Sequence, residues 1–198
     1  MKGQPLPTGR LILVRHGESE GNRTRTFTDS PAVPLTDLGR EQARRAARRI
    51  AAGYRPVRVV ASPYARARQT AQIIAALLDL PLEIDPVWRE QGLGALAGQP
   101  YDRALDDPLF DPDQRWTWRP PSGESLVDVQ QRVAPAFDRL AQTTIGSDIV
   151  LVSHAGVMQA LCAHVMGSWR SAPVSPNGGI IVVEHESGRY QPPVLIEN

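Results

Sequence analysis

LILVRHGESEGN, at residues 11–22, is the stretch that decides the fold of this 198-residue chain. Its first four residues form a continuous β-prone apolar run, which is typical of a strand buried on both faces of a parallel sheet. The run ends abruptly in polar residues, so the segment that follows is predicted to be a loop at the carboxyl end of that strand. Open α/β sheets bind their ligands at this end.

Helical and strand patterns alternate after this loop. Thr36 has the residue type of a helix N-cap, and Gly53 has that of a helix stop. The predicted elements are a helix over 37–52, a strand over 57–61, a helix over 64–78 and a strand over 82–84. This β-α-β-α-β order predicts an α/β fold, a three-layer α/β/α sandwich with a mainly parallel sheet.

The second half of the chain is interrupted and then returns to the same alternation. Residues 92–123 are rich in Gly, Pro, Asp and Trp and are too long for an ordinary connection, which indicates an ordered insertion or lid. Further elements are predicted as a helix over 125–143, a strand over 149–152, a helix ending near Met166 and a strand over 180–184. Residues 1–198 are therefore interpreted as one domain with an insertion at about 92–123.

The composition is that of a globular domain, with 41% hydrophobic and 22% charged residues. The net charge is only +1, although residues 1–70 carry 14 basic against 5 acidic side chains. Neither nucleic acid nor a membrane is therefore an expected partner. The lone Cys162 forms no internal disulfide and no apolar run approaches the roughly 18 residues of a membrane span, which predicts a soluble cytoplasmic protein. A homodimer is compatible with the sequence.

Two of the predicted strands end in a polar loop that carries a histidine, His16 in the first loop and His154 in the second. Neighbouring carboxyl ends of parallel strands would bring both histidines into one crevice. Arg15 precedes the first histidine and Arg66 begins the helix after the second strand, so two guanidinium groups join them. Arginine and protonated histidine form charge-assisted hydrogen bonds with phosphate oxygens. The crevice is therefore predicted to bind a tetrahedral dianion.

The same residues resemble the RHG signature of the histidine phosphatase superfamily, which includes the cofactor-dependent phosphoglycerate mutases. Further motifs similar to those of that family follow in order, so the resemblance covers nearly the whole chain, from about residue 10 to 185. The motifs are Arg15-His16-Gly17-Glu18-Ser19 with Asn22, Pro34-Leu35-Thr36 with Gly39 and Gln42-Ala43, Ser62-Pro63 with Arg66, Gln69-Thr70-Ala71, Arg89-Glu90 with Gly94 and Gly98, Gly123-Glu124-Ser125, and Ser153-His154-Ala155-Gly156.

The resemblance implies that His16 is the nucleophile and takes the phosphoryl group as a phosphohistidine. His154, Arg15 and Arg66 resemble the residues that hold the phosphoryl oxygens, and Glu90 occupies the family's general-acid position. Imidazole is a competent neutral nucleophile when a backbone hydrogen bond holds one ring nitrogen. The arginines supply the positive charge that Mg²⁺ would otherwise supply, so no metal and no cofactor is expected.

The two histidine loops contain further candidate substrate-binding residues, Ser19 and Asn22 in the first loop and Ala155 in the second. The alternative for Asn22 is a turn residue that caps its loop, and the alternative for Glu90 is an exposed ion pair with Arg89. A metal-binding alternative would consist of His16, His154, Glu18 and Glu90. The neighbouring arginines would repel a cation from such a site.

Trp116 and Trp118 alternate with Arg115 and Arg119 inside the insertion, which predicts an extended segment with aromatic side chains on one side and cations on the other. Packing of the Trp pair against the core is the simpler interpretation. If the lid covers the pocket, one of the two arginines would meet a second negative group on the substrate. Specificity is expected to reside in residues 27–34 and 99–121.

The choice between phosphatase and mutase depends on residues that grip the substrate. The mutase pattern resembles E-R-H-Y-G-x-L-x-G with a lysine shortly beyond and a later Arg-Arg pair. This chain has Gln91 and Gly92 after Glu90, Tyr101 where the lysine would fall, and no adjacent arginine pair in the insertion. The predicted function is a metal-independent phosphomonoester hydrolase acting on a small phosphorylated metabolite. The alternatives are a 2,3-bisphosphoglycerate-dependent phosphoglycerate mutase and a catalytically silent protein that binds phosphorylated ligands.

Overall fold

One sheet of seven strands runs through residues 8–143, 146–186 and 189–196, which are the residues that the computed structural model describes. The strands are β1 (Gly9–Arg15), β2 (Pro56–Ala61), β3 (Leu82–Ile84), β4 (Asp148–Ser153), β5 (Ile180–Glu186), β6 (Arg189–Tyr190) and β7 (Val194–Ile196). Their order across the sheet is β3-β2-β4-β1-β5-β6, and β7 also pairs with β5. The strands predicted from the sequence are all present, whereas β6 and β7 have no predicted counterpart.

The four strands from β1 to β4 pair in parallel. The remaining strands form an antiparallel edge, because β5 runs opposite to β1, β6 and β7. The prediction of a mainly parallel sheet is therefore confirmed, with an antiparallel margin added beside β1. In the central β1–β4 pair Arg15 is opposite Ser153, so the two histidine loops begin at the same level of the sheet.

Helices cover both faces of the sheet, as predicted. They are α2 (Asp37–Gly53), α3 (Ala65–Leu78), α4 (Leu126–Gln142) and α5 (Ala155–Met166), and a short helix α1 (Glu20–Arg23) follows the loop after β1. Leu11 and Leu13 belong to the core under α4 and α5, and Ile12 and Val14 to the core under α2 and α3. Successive strand side chains point to opposite faces, so the run at 11–14 is buried from both sides. No helix in the described part of the chain is long and apolar enough to cross a membrane.

Side-chain caps define where the longer helices begin. The Thr36 hydroxyl accepts a hydrogen bond from the Gly39 backbone N–H at 3.0 Å, as predicted from its residue type. Ser125 and Asp128 form a capping box at the start of α4. These bonds satisfy backbone donors that the first turn of a helix leaves unpaired.

The predicted insertion contains the short 3₁₀ helices Gly94–Leu96, Tyr101–Asp106 and Pro112–Gln114. It pairs with the segment after α1, because Phe27 N donates to the Gln99 carbonyl and Gly98 N donates to the Phe27 carbonyl, each at 2.8 Å. The extended conformation predicted for residues 115–119 is wrong at residues 115–117, which form a turn. Thr117 N donates to the Gln114 carbonyl and closes a turn there.

The loop after β1 packs directly on the first turn of α2 through two glycines. A Cβ atom at Gly17 would lie 2.2 Å from the Gly39 carbonyl oxygen, and one at Gly39 would lie 2.0 Å from the Glu18 carbonyl oxygen. These obstacles are backbone atoms, which cannot rotate away as a side chain can. The two glycines therefore allow the contact that sets the position of the histidine loop.

Gly39→Ala should lower the free energy of unfolding by about 1–3 kcal/mol, because the new methyl group is forced against backbone. Gly53→Ala, in the last position of the same helix, meets nothing within 4 Å. It should leave stability unchanged or raise it by up to about 1 kcal/mol, because alanine favours the helix. Urea denaturation followed by circular dichroism measures both values. Equal stability of the two variants would contradict the close backbone contact.

Candidate active site

His16 lies directly after β1 and is 2% exposed. Its Nδ1 donates to the Gly17 carbonyl oxygen at 2.7 Å, and Arg66 Nε donates to its Nε2 at 3.2 Å. Nε2 accepts a hydrogen bond, so it carries the lone pair and Nδ1 carries the proton. Burial and the positive charge of Arg66 lower the pKa of His16 well below its ordinary value. The imidazole is therefore neutral at pH 7, with its free electron pair on Nε2.

Side chains from two helices hold the backbone of this loop. Gly17 N donates to Thr70 Oγ1 of α3 at 3.1 Å, and Glu18 N donates to Gln42 Oε1 of α2 at 2.7 Å. On the other side, Asn177 Nδ2 donates to the carbonyl oxygen of the histidine itself at 3.2 Å. The loop is thus fixed from three separate segments of the chain, which preorganises the imidazole.

Arg66, in the first turn of α3, is 2% exposed. Besides its bond to His16, its guanidinium donates to the Ser30 carbonyl at 3.2 Å and to the Thr28 carbonyl at 3.0 Å. Its Nη2 lies 3.8 Å from Glu90 Oε2. Burial lowers the pKa of this arginine, and the charge of Glu90 opposes that shift.

His154 occupies the N-cap position of α5 and is fully buried, with its ring centroid 5.2 Å from that of His16. Its Nε2 lies 2.7 Å from Ser62 Oγ, which already accepts a hydrogen bond from Tyr64 N. In the tautomer in which the Ser62 hydroxyl donates to Nε2, the neutral imidazole carries its own proton on Nδ1. Burial lowers the pKa of His154 well below its ordinary value.

Two buried nitrogens of the site have no hydrogen-bond partner among the described residues. They are Arg15 Nε, which is a donor, and His154 Nδ1, which is a donor in the tautomer just described and whose nearest carboxylate, Glu90, is close without forming a hydrogen bond. Arg15 is anchored by its Nη1, which donates to the Ser175 carbonyl at 2.8 Å. Ala155 begins α5 and lines the same cavity, so the unpaired N–H groups of that helix end are near. Donors arranged in this way suit an anion.

Glu90 lies between these groups, with 16% of its side chain exposed. Its Oε2 is 3.3 Å from His154 Nδ1, and its Oε1 accepts a hydrogen bond from Gln91 N at 3.0 Å. Burial raises the pKa of Glu90, and the charge of Arg66 opposes that shift. The alternative of an exposed ion pair with the adjacent Arg89 is wrong, because that arginine contacts only the backbone carbonyl of Glu90 and forms its ion pair with another carboxylate.

Arg89 instead forms a two-pronged ion pair with Glu124, with both N–O distances at 2.7 Å. Glu124 also accepts from Gly92 N at 2.8 Å and pairs with Arg132 at 3.3 Å. Arg132 in turn donates to the Val87 carbonyl at 2.5 Å. This network fixes the backbone on both sides of the catalytic candidate Glu90. Sequence reasoning noted Glu124 only as part of a motif and assigned no role to Arg132.

Asn22 and Ser19 form a capping box at α1. Asn22 Oδ1 accepts from the Ser19 backbone N–H at 3.1 Å and from Asn177 Nδ2 at 3.0 Å, so the capping alternative for Asn22 is confirmed. Its Nδ2 donates to the Tyr101 hydroxyl at 3.2 Å, and the residue also lines the cavity. Ser19 is fully buried and is not among the residues that line the cavity.

The site opens into a cavity of about 600 Å³. Its wall includes residues of both segments predicted to set specificity. From the first segment come Phe27 and Thr28, and from the insertion come Tyr101, Asp102, Ala104, Leu105, Phe110, Arg115 and Trp118. The lid interpretation of the insertion is therefore consistent with the structure.

The ligand atoms of His16, Glu90 and His154 lie within 4.8 Å of one another, a spacing at which a metal ion can bind. Glu18, the fourth member of the metal alternative, is absent from this group and its carboxylate accepts from Thr36 Oγ1 at 2.8 Å. The guanidinium groups nearby disfavour a cation electrostatically.

The chain is similar to known proteins in both sequence and structure. Residues 11–196 match the model of the histidine phosphatase superfamily (branch 1). A glucosyl-3-phosphoglycerate phosphatase from Mycolicibacterium vanbaalenii is 36% identical over 171 residues, covering 80% of this chain and 74% of that protein. A probable phosphoglycerate mutase, GpmB, from Photorhabdus laumondii is 30% identical over 167 residues, covering 80% and 75%.

Among solved structures, a mycobacterial glucosyl-3-phosphoglycerate phosphatase in complex with VO3 matches with a TM-score of 0.84 at 26% identity, over 96% of this chain and 99% of that one. The chain belongs to the histidine phosphatase superfamily. Within that superfamily it is a phosphatase, a hydrolase of phosphomonoesters.

The Glu124 network generates a prediction about acid stability. Burial by itself would raise the pKa of Glu124, but the hydrogen bonds from Arg89 and Gly92 and the charge of Arg132 outweigh it and lower the pKa to about 2. A carboxyl group with a depressed folded-state pKa stabilises the fold above its unfolded-state pKa, and loses that contribution as the pH falls toward the folded value. Glu124→Gln should therefore cost about 2 kcal/mol of unfolding free energy at pH 7.

The difference between wild type and Glu124→Gln should shrink between about pH 4.5 and pH 2. Denaturant titrations across this range measure it. Glu83→Gln, which removes an exposed carboxylate on β3 that pairs with Arg58, is the matched control and should keep the wild-type acid profile. If the stability difference between wild type and Glu124→Gln stays constant down to pH 2, the ion pair is not what lowers the pKa.

Proposed function

We propose that this phosphatase hydrolyses its substrate through a phosphohistidine at His16, and that it does so without a metal. The observation that carries the proposal is the buried neutral imidazole of His16, whose proton is held by the Gly17 carbonyl and whose lone pair is on Nε2, where Arg66 contacts it. A general acid, Glu90, lies within the same cluster of ligand atoms. Nucleophile, acid and cations are thereby combined in one site.

In the first step, the Nε2 lone pair of His16 attacks phosphorus and the bond to the alcohol oxygen breaks. Glu90 donates its proton to that oxygen, which leaves as the neutral alcohol. Burial favours the protonated acid by raising its pKa, and the charge of a bound phosphate adds to this effect. Arg66 Nε must release Nε2 at this point, and its guanidinium then becomes available to the phosphoryl oxygens.

In the second step, the Glu90 carboxylate takes a proton from water while the water oxygen attacks phosphorus. The P–N bond breaks, inorganic phosphate forms, and His16 returns to its neutral state. Glu90 is reprotonated by the same event, so the cycle closes without an external acid or base. Water reaches the phosphoenzyme through the cavity that admits the substrate.

The phosphoryl oxygens are held by four groups. Arg15 and Arg66 supply positive charge, His154 supplies its Nδ1 proton, and Ala155 supplies a backbone N–H at the start of α5. Phosphoryl transfer is catalysed mainly by positioning and by charge placed around the equatorial oxygens. The Asn22 amide, which lines the cavity, is assigned to the substrate side of the same site, whereas Ser19 is assigned to support of the loop.

The substrate is proposed to be a small phosphorylated metabolite. The name of the Mycolicibacterium relative, glucosyl-3-phosphoglycerate phosphatase, supports an organic phosphate of this size. The cytoplasm is the proposed location, in keeping with the buried free thiol of Cys162.

His16→Ala should abolish turnover and the covalent intermediate, because it removes the nitrogen that is proposed to attack phosphorus. The expected loss is several orders of magnitude, about 10³-fold or more. Rapid quench with a ³²P-labelled substrate in EDTA should trap acid-labile, base-stable label on wild type alone. His164→Ala, which removes an imidazole that pairs with Asp138 and does not line the cavity, is the control and should retain activity and labelling. Labelled His16→Ala protein would refute the assignment.

Glu90→Gln should slow an alkyl phosphate much more than para-nitrophenyl phosphate, because only the alkoxide needs the proton. The loss on the alkyl ester is expected to be about 10²–10⁴-fold in single-turnover phosphorylation of the enzyme. Glu83→Gln, on the exposed strand β3, is the matched control and should affect neither ester. Equal losses on both esters in Glu90→Gln would assign Glu90 to positioning of the arginines instead.

A further inference from the structure

The cavity is far larger than a phosphoryl group. At about 600 Å³ it lies within the range of sites that enclose a whole small molecule, about 300–1,000 Å³. The groups proposed for the chemistry occupy only part of its wall. The remaining wall comes mostly from the lid and from the segment after α1. The side chains of this wall indicate the chemistry of the part of the substrate that leaves as the alcohol.

Four aromatic rings form part of this remaining wall. Phe27 and Tyr101 meet edge to face with ring centroids 4.9 Å apart, and Phe110 and Trp118 meet in the same way at 4.8 Å. All four line the cavity. The indole N–H of Trp118 is already donated to Asp107 at 3.0 Å, so its ring offers an apolar surface. A wall of this kind favours a flat apolar group.

The cavity wall also carries more positive charge than the proposed binding of the phosphoryl group requires. Beyond Arg15 and Arg66, the cavity is lined by Arg25 and Arg115, and neither of these two forms an ion pair among the described residues. Asp102 is the one carboxylate that lines the cavity besides Glu90 among those residues, and it offsets one of the extra charges. One cation therefore remains for a second negative group.

Arg115 is the better placed of the two cations. Its Nη2 donates to Gln159 Oε1 of α5 at 3.1 Å, which holds the guanidinium on the same helix that begins with Ala155. Arg25 has no comparable side-chain hydrogen bond among the described residues. A partly anchored guanidinium loses less freedom when it binds an anion, because its rotamer is already restricted.

We propose that the substrate is a phosphomonoester whose alcohol portion carries a flat apolar group, received by Trp118, and a second anionic group, received by Arg115. This inference rests on the proposed function, since it assumes that the phosphoryl group is bound at His16. It divides the segment 115–119 into two kinds of residue. Trp118 and Arg115 face the cavity, whereas Trp116 stacks on Trp169 and Arg119 pairs with Asp128.

Three alkyl phosphates with the same kind of leaving oxygen test the proposal. They are ethyl phosphate, 2-phenylethyl phosphate and the latter with a carboxylate at the para position of its ring. Wild-type kcat/KM should rise about tenfold from the first to the second, and about fivefold more from the second to the third. Because the oxygen that leaves is a primary alkoxide in each case, these ratios report recognition rather than leaving-group chemistry.

The variants come in matched pairs within one segment. Trp118→Ala should lose the preference for the phenyl ester, and Trp116→Ala should keep it. Arg115→Gln should lose the preference for the carboxylate, and Arg119→Gln should keep it. Circular dichroism checks folding, and Trp118→Leu replaces the alanine variant if that one does not fold, because leucine fills more of the space without offering an aromatic face.

Each result decides a stated part of the proposal. Equal phenyl preference in the two tryptophan variants would overturn the apolar assignment. Equal carboxylate preference in the two arginine variants would overturn the anionic assignment. Wild-type enzyme that hydrolyses all three esters equally would refute the inference while leaving the phosphohistidine mechanism intact. Wild type without any phosphoenzyme on these esters or on para-nitrophenyl phosphate would refute both.

Discussion

The contact between the buried guanidinium of Arg66 and the neutral imidazole of His16 is the interaction on which the site depends. Burial of a cation is costly unless its donors are paired, and Arg66 meets that requirement with the carbonyls of Thr28 and Ser30. These partners come from two segments of the chain, and Arg66 itself comes from a third. One side chain therefore joins the loop after β1, the segment after α1 and helix α3. Burial keeps the histidine unprotonated, and the charge of Arg66 adds to that effect.

Burial shifts the pKa of the histidines and the pKa of the glutamate in this site in opposite directions. It lowers the pKa of His16 and His154 and raises that of Glu90, so all three are driven toward their neutral forms. The arginines remain charged. A site composed of two cations and neutral proton carriers has room for the two negative charges of a phosphomonoester, and it supplies a nucleophile and an acid at the same pH.

Much of the fold was predictable because the relevant signals are local. Apolar runs and helix caps act over a few residues, so the strand at 82–84 and the helix that begins after Thr36 appear where they were expected. Parallel pairing of β1 with β4 then brings His16 and His154 together. The motif residues Thr70 and Gln42 proved to hold the backbone of the histidine loop, a task that their residue types alone do not reveal.

The sequence by itself determined the order of the elements and the two strand ends that carry the histidines and arginines. Only the tertiary structure decided which distant side chains pair. Arg89 binds Glu124, 35 positions away, rather than the adjacent Glu90, and a turn in the lid sends Trp118 but not Trp116 to the cavity. Propensity and periodicity describe neighbours along the chain, whereas these pairings depend on distances that exist only after the layers have packed.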